Sequence, residues 1–303
     1  MERHRSYSML PMIVSILCLS GVQAQSPMEA ASQDTPYSVP SYVARQVAKN
    51  AGQRKSLNGP KTRVLVRVQA KGGKYLGDDI GGTWVTIRNS HTGELLASGV
   101  TSGDSGSLSN SYVPNASSRV IVTPGSPPRI HWLVAGPNSS RFSAEIALER
   151  PAMLEISVFG AIGGLQTAHK AVATQWAVPG NDVEMGVEIS GLLVQVMDPP
   201  THMKLLSSAS TVPLKAKVAM MCGCPINIGM PWIPSDFNVT AHVRNLGSGA
   251  VVAVVPLAFS RSGVSGLYEG SYNVTEPGFY DVTILAVQRS TGNTGAGQVT
   301  FFR

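Results

Sequence analysis

The chain has 303 residues, of which 31 are glycine and 20 are proline, and only 14% are charged. A hydrophobic content of 43% and a net charge of only +6 exclude a largely disordered chain. Abundant glycine and proline argue against a helical bundle or coiled coil, because both residues weaken helices. The composition favours an all-β, turn-rich protein long enough for two domains.

The N-terminus has the pattern of an export signal. Arg3 and Arg5 precede an apolar run over 9–19, which is shorter than the roughly 20 residues of a membrane span. Small residues then lead to Ala24, so 1–24 is predicted to be a signal peptide that is cleaved after Ala24. We therefore expect an exported protein, periplasmic or secreted, with no transmembrane segment in its mature chain. Its small net charge does not favour nucleic acid as a partner.

A polar leader follows the signal. Residues 25–60 are predicted to be flexible, with a possible short basic helix over 40–52.

From Lys61 the apolar residues recur at every second position, which is the period of a half-buried strand. Val64, Val66 and Val68 share one predicted face. Short strands separated by glycine, proline and asparagine turns continue to 198 and indicate a β-sandwich. The predicted strands cover 84–89, 94–99, 120–123, 142–148, 154–159, 171–178 and 192–197.

Two segments, Arg63–Gly77 and Gly82–Gly106, resemble the transthyretin-like (carboxypeptidase regulatory-like) modules of exported proteins. The shared order is a strand, a glycine turn, a second strand, the turn Ser90–Gly93 and a third strand. The resemblance implies a β-sandwich over 61–198 that is usually non-catalytic. Gly103–Gly106 departs from the family, which has a tight Asp-Gly turn there.

A second alternating region follows a linker. Asp198–Met203 contains two prolines, which cannot continue a strand ladder. Further strands are predicted over 212–220, 237–243, 250–257, 267–274 and 279–288. Glu276–Ala286 resembles the sixth strand of an immunoglobulin- or fibronectin-like sandwich, with Tyr280 as its corner tyrosine. The predicted fold is therefore all-β, with two consecutive β-sandwich domains over 61–198 and 204–303 after the signal peptide and leader.

Cys222 and Cys224 are the most distinctive residues of the predicted mature chain, because Cys18 leaves with the signal. If the strand alternation continues, both sulfurs project to one face and Met221 to the other. A disulfide between them needs a bend, which Gly223 permits. Three alternatives stay open: a structural disulfide or buried thiols, a metal site, or a redox-active pair.

The metal alternative is a Cu(I) site, because thiolate and thioether ligands select soft metals. Its candidate ligands are Cys222, Cys224, Met221, Met203 and His202, with Met230 as a further possibility.

A serine-protease interpretation of Gly103–Gly106 fails on the order of residues. His169 follows Ser105 by 64 positions, whereas the chymotrypsin-like order places the histidine first. We predict a hairpin turn here and no catalytic residue. The chain is predicted to be a non-catalytic binding protein of the cell envelope whose partner or ligand is unknown. The alternatives are a copper-binding protein and a thiol–disulfide-active protein, the latter disfavoured because no thioredoxin-like pattern surrounds the cysteines.

Overall fold

The computed structural model describes residues 59–111, 119–123, 129–206 and 208–303. The predicted signal peptide and all but the last two residues of the predicted leader lie outside these ranges.

The described chain is almost entirely β, which confirms the predicted class. It contains nineteen strands and three short 3-10 helices. The strands are β1 (Lys61–Ala70), β2 (Thr83–Asn89), β3 (Leu95–Val100), β4 (Ser107–Ser109), β5 (Arg119–Thr123), β6 (Arg129–Val134), β7 (Phe142–Ala147), β8 (Ala152–Gly160), β9 (His169–Ala177), β10 (Val183–Ile189), β11 (Leu192–Asp198), β12 (Met203–Lys204), β13 (Thr211–Met220), β14 (Phe237–Asn245), β15 (Val251–Pro256), β16 (Ala258–Phe259), β17 (Leu267–Asn273), β18 (Phe279–Gln288) and β19 (Thr294–Phe302). The helices are η1 (Asp78–Ile80), η2 (Ile162–Thr167) and η3 (Pro234–Asp236).

Strands β1 to β10 form the N-terminal half. One sheet has the order β10-β1-β7 and a second has the order β3-β2-β8-β9, while β4, β6 and β5 form a small third sheet. Val64, Val66 and Val68 are fully buried, as their alternation predicts. They share a core with Ile87 of β2 and Ile156 of β8, so the two larger sheets enclose one apolar layer.

Strands β11 to β19 form the C-terminal half. Its sheets have the orders β11-β13-β17-β16 and β12-β19-β18-β14-β15. Strand β11 precedes the boundary predicted at 198, yet it pairs along its length with β13. The division into domains at 198 and 204 stays a prediction, and the hydrogen bonding groups β11 with the strands that follow it.

Two glycines let β11 pack closely on β19. A Cβ at Gly295 would lie 2.3 Å from the carbonyl oxygen of Leu192, and one at Gly297 would lie 2.7 Å from that of Val194. No larger residue fits at either position without moving the backbone. The glycines therefore bring the two C-terminal sheets together along this edge.

The corner tyrosine predicted in β18 is confirmed. The Tyr280 hydroxyl donates a hydrogen bond of 2.8 Å to the carbonyl oxygen of Glu276, four residues upstream. Its ring is buried and stacks on Phe301 at 5.0 Å between centroids. This bond fixes the entry to β18 in the manner of immunoglobulin-like sandwiches.

Candidate functional site

The turn after β1 is held by three buried groups of the C-terminal half. The indole nitrogen of Trp232 donates to the carbonyl oxygen of Gly72 at 2.8 Å, and the Asn293 amide donates to that of Lys71 at 2.9 Å. The backbone N–H of Lys74 points at the sulfur of Cys222 at 3.4 Å. The distinctive cysteine therefore lies where the two halves of the chain meet.

Cys222 and Cys224 form a disulfide with their Cα atoms 5.3 Å apart. The bend that it needs is present, because Gly223 adopts a φ of +74°, a left-handed conformation that favours glycine. The N–H of Gly223 donates a hydrogen bond to the carbonyl oxygen of Met220 at 2.8 Å, and the N–H of Met220 donates one to the carbonyl oxygen of Cys224 at 3.1 Å. The loop thus caps the end of β13, and both cysteines are buried.

Segment 78–80 packs on the outside of this loop. A Cβ at Gly223 would lie 2.5 Å from the side chain of Ile80 and 3.4 Å from a carboxylate oxygen of Asp79. Burial raises the pKa of Asp79, since an apolar surrounding disfavours the charged carboxylate. Sequence reasoning missed this contact, because 79 and 223 lie in different halves.

Strand β13 ends at Met220, so the alternation does not continue through Met221 and the two cysteines, which lie in a loop. The terminal methyl of Met221 packs over Gly191, where the ring of His169 also packs. Sequence reasoning did not connect these residues, because they come from three separate segments.

The other predicted copper ligands are not brought to the cysteines. His202 and Met203 lie beside Thr300 and Phe301, where the His202 ring contacts the Thr300 hydroxyl at 3.2 Å. The disulfide lies beyond the other end of β19, whose nine residues span about 30 Å at 3.3–3.4 Å per residue. Met230 lies in the loop before Trp232 and is partly exposed.

The disulfide is one of the outcomes that the sequence leaves open. The thiolate, not the disulfide sulfur, is the nucleophile and the soft-metal ligand, so copper binding or exchange at this pair requires its reduction. The described residues contain no cluster of three or more His, Cys, Asp or Glu side chains arranged to hold a metal. Copper binding and thiol–disulfide activity stay predictions.

Gly103–Gly106 is a bend rather than the predicted hairpin turn, because β3 and β4 on either side of it pair with different strands. The carboxylate of Asp104 accepts hydrogen bonds from the N–H of Gly106 at 2.8 Å and from the hydroxyl of Ser139 at 3.0 Å. The N–H of Gly103 is bound by the carboxylate of Asp78 at 3.0 Å. Asp104 therefore organises the loop locally rather than orienting a histidine.

A cavity of about 380 Å³ lies beside the disulfide loop. One wall is segment 163–167, and the floor is the outer surface of β11 and β13. The side chains of Leu193, Gln195, Lys217 and Ala219 share that surface, because Leu193 pairs with Ala219 and Gln195 pairs with Lys217. Gly223 closes one end. The cavity is therefore built from both halves of the chain.

Strand β15 is an exposed edge. Among the described residues it pairs with β14 alone, and its other side offers unpaired backbone groups. Val251, Val252 and Val254 are 56%, 45% and 54% exposed, and the strand contains no charged residue. Proteins usually protect such an edge with a charge, a proline, a bulge or a covering segment. Here the pairing with β14 skips Val252, which forms a bulge, but no charged residue within the strand protects it. Pro256 ends the strand.

Searches among known proteins place the chain in no family. No family model matches it, and no curated protein does. Among solved structures, the fibronectin(III)-like modules of Clostridium thermocellum CbhA are 11% identical, with a TM-score of 0.25 over 80% of this chain and 93% of that one.

Two further solved structures give similar values. The titin domains z1z2, solved in complex with telethonin, are 12% identical, with a TM-score of 0.23 over 81% of this chain and 96% of that one. The C-terminal domain of the Streptococcus agalactiae AgI/II polypeptide BspA is 10% identical, with a TM-score of 0.21 over 80% and 100%.

TM-scores this low carry no argument, so the class rests on the chain's own strands. The protein is an all-β protein built of several packed sheets. The finer resemblance of 61–198 to transthyretin-like modules stays a prediction. No helix among the described residues has the length and hydropathy to span a bilayer.

Proposed function

We propose that this protein is an exported, non-catalytic protein of the cell envelope, and that it binds an extended segment of a partner protein along strand β15. One observation carries the proposal: β15 combines unpaired backbone groups, three exposed valines and no charge. A polypeptide strand is the ligand that complements such an edge. Its backbone supplies the hydrogen bonds and its alternate apolar side chains supply the specificity.

Peptide selection tests the edge. Short peptides displayed on phage are selected against the purified protein, and we expect the enriched sequences to alternate apolar and polar residues. Their binding should be lost in the Val252→Lys/Val254→Lys double variant, because a charged edge strand resists pairing. The matched control is Val172→Lys/Thr174→Lys, which places the same two charges at exposed residues of β9, also two positions apart.

Backbone hydrogen exchange locates the contact. The amides of β15 should become protected when a selected peptide binds, because a strand added at the edge takes up their free donors. Peptides that bind the double variant as well as the unchanged protein would refute the proposal. Self-association of the unchanged protein through β15, measured by sedimentation, would replace the partner with a second copy.

Export is tested independently. We expect the mature protein to begin at Gln25, because cleavage is predicted after Ala24. Mass spectrometry of the protein recovered from the envelope or the medium measures its N-terminus. A chain that keeps residues 1–24 and stays in the cytosol would contradict the envelope assignment while leaving the peptide test unaffected.

A further inference from the structure

We propose that the cavity beside the disulfide loop, the junction cavity, binds a small aliphatic carboxylate, with Lys217 pairing with the carboxylate and Leu193, Val196 and Val299 holding the chain. Its volume of about 380 Å³ lies at the small end of the range for ligand pockets. Such pockets combine apolar walls with a few polar groups that fix the orientation of the ligand. The junction cavity has both.

Two neighbouring lysines indicate that the ligand is an anion, because one of them has carboxylate partners and the other has none within the described part of the chain. Lys215 and Lys217 lie on the same surface of β13, two residues apart. Lys215 lies 3.4 Å from a carboxylate oxygen of Asp198 and 3.8 Å from one of Glu269. Among the described residues no carboxylate lies within 4 Å of the Lys217 amine, and this side chain lines the cavity. Lys217 is therefore the cation that an anionic group can neutralise.

The apolar residues that line the cavity indicate that its ligand has an apolar part. Leu165 of η2 lies on the wall and Leu193 of β11 lies on the floor beside it, where the Leu193 side chain would lie 3.2 Å from a Cβ at Gly164. Val196 and Val299 extend the apolar surface around the edge of β11. A ligand with a charged head alone would leave these walls in water. An aliphatic chain covers them and is favoured because it removes this apolar surface from water.

The polar groups around the cavity restrict the ligand further. The Gln166 amide is already bound to the carbonyl oxygen of Gln298 at 3.0 Å, which fixes segment 163–167 over β11. Gln195 stands directly across the ladder from Lys217 and adds an amide next to the ammonium. Asp79 packs on the loop behind Gly223, so a second negative charge on the ligand near that end is disfavoured. One carboxylate at the Lys217 end satisfies both constraints.

Titration with octanoate tests the proposal, with octanol and acetate as probes of the chain and the charge separately. We expect octanoate to bind more tightly than either, and to shift the methyl NMR signals of Leu193 and Val196. Lys217→Gln should weaken octanoate binding about fivefold, the upper range for a partly exposed ion pair, and leave octanol binding unchanged. Lys215→Gln is the matched control, since its ammonium already has two carboxylate partners.

A substitution that fills the junction cavity is a second test of the site. Ala219→Leu adds a side chain to the floor, and it should weaken octanoate and octanol equally while β15 still binds its selected peptides. Octanoate that binds no better than acetate, or equally well to Lys217→Gln, would refute the site. Because the junction cavity and β15 use different residues, failure of one test does not decide the other.

Discussion

At the scale of single residues, the fold depends on a few buried polar groups with complete hydrogen bonding. Asp236 accepts bonds from the Ser290 N–H and hydroxyl and from the Gln288 amide, so it ties η3 to the turn after β18. At the start of β18, the Tyr280 hydroxyl donates a hydrogen bond to the carbonyl oxygen of Glu276, and the Asp281 carboxylate accepts one from Arg244. Each has a role that a single substitution can measure.

Tyr280→Phe should lower the free energy of unfolding by about 1 kcal/mol, the usual net value of one hydrogen bond. The variant keeps the buried ring but leaves the Glu276 carbonyl oxygen without this donor. Urea unfolding measures the change. Tyr272→Phe is the matched control on the adjacent ring, 6.4 Å away; an equal loss in both variants would argue against the corner bond.

Asp281 should make stability depend on pH in the acid range. The hydrogen bonds from Arg244, at 3.1 and 2.8 Å, hold the pKa of this carboxyl below its usual value, so the folded state favours its charged form. The resulting stabilisation is complete above the unfolded pKa of about 4 and is lost as the pH falls through the lower folded pKa. Asp281→Asn removes it.

Urea unfolding at a series of pH values tests this. The stability difference between the unchanged protein and Asp281→Asn should be constant near neutral pH and should shrink below about pH 4. A difference that stays constant to low pH would show that Asp281 is not preferentially charged in the folded state.

At the scale of elements, the contacts between the two halves are made by the ends of strands and the loops that follow them. Loop 220–226 closes β13 and presents Cys222 to the turn after β1, while Gly295 and Gly297 allow β11 to reach β19. The alternation of β13 and β18 is readable from the sequence because one face of each strand is buried. Strands β10 and β19 were missed because glycines interrupt their apolar pattern: Gly186 in β10 and Gly295 and Gly297 in β19.

Replacing both cysteines by alanine should lower the free energy of unfolding by about 2 kcal/mol. Closing so short a loop removes little entropy from the unfolded chain, about 1.5 kcal/mol, and the lost sulfur contacts add to it. The variant should also speed amide exchange at Lys74, whose N–H loses the Cys222 sulfur. Exchange in β2 serves as the internal control.

Unchanged protection of Lys74 in that variant would show that the disulfide does not stabilise the turn after β1. Reduction of the unchanged protein by dithiothreitol removes the bridge but keeps the Cys222 sulfur, so exchange at Lys74 should speed up less than in the variant.

At the scale of the whole molecule, the two halves share one continuous core. The cluster that contains Val64 and Ile156 also contains Cys222, Val218 and Ile284. The turn after β1 adds hydrogen bonds to Trp232 and Asn293 across the same junction. Residues from both halves therefore depend on each other for burial.

We expect residues 61–303 to unfold in one cooperative transition. Scanning calorimetry should show a single peak whose calorimetric and van't Hoff enthalpies agree, because neither half keeps its junction residues buried alone. Two separated peaks would instead indicate that β1–β10 and β11–β19 fold independently, as the predicted division into two domains implies.

The sequence by itself determined the all-β class, most strand positions and the corner tyrosine. These follow from local rules, since side chains alternate across a strand and glycine and asparagine mark turns. The tertiary structure alone decided that Cys222 meets the turn after β1, that His202 and Met203 lie far from it, and that Lys217 faces a cavity. Such contacts join residues distant in sequence, and only the packing of the sheets brings them together.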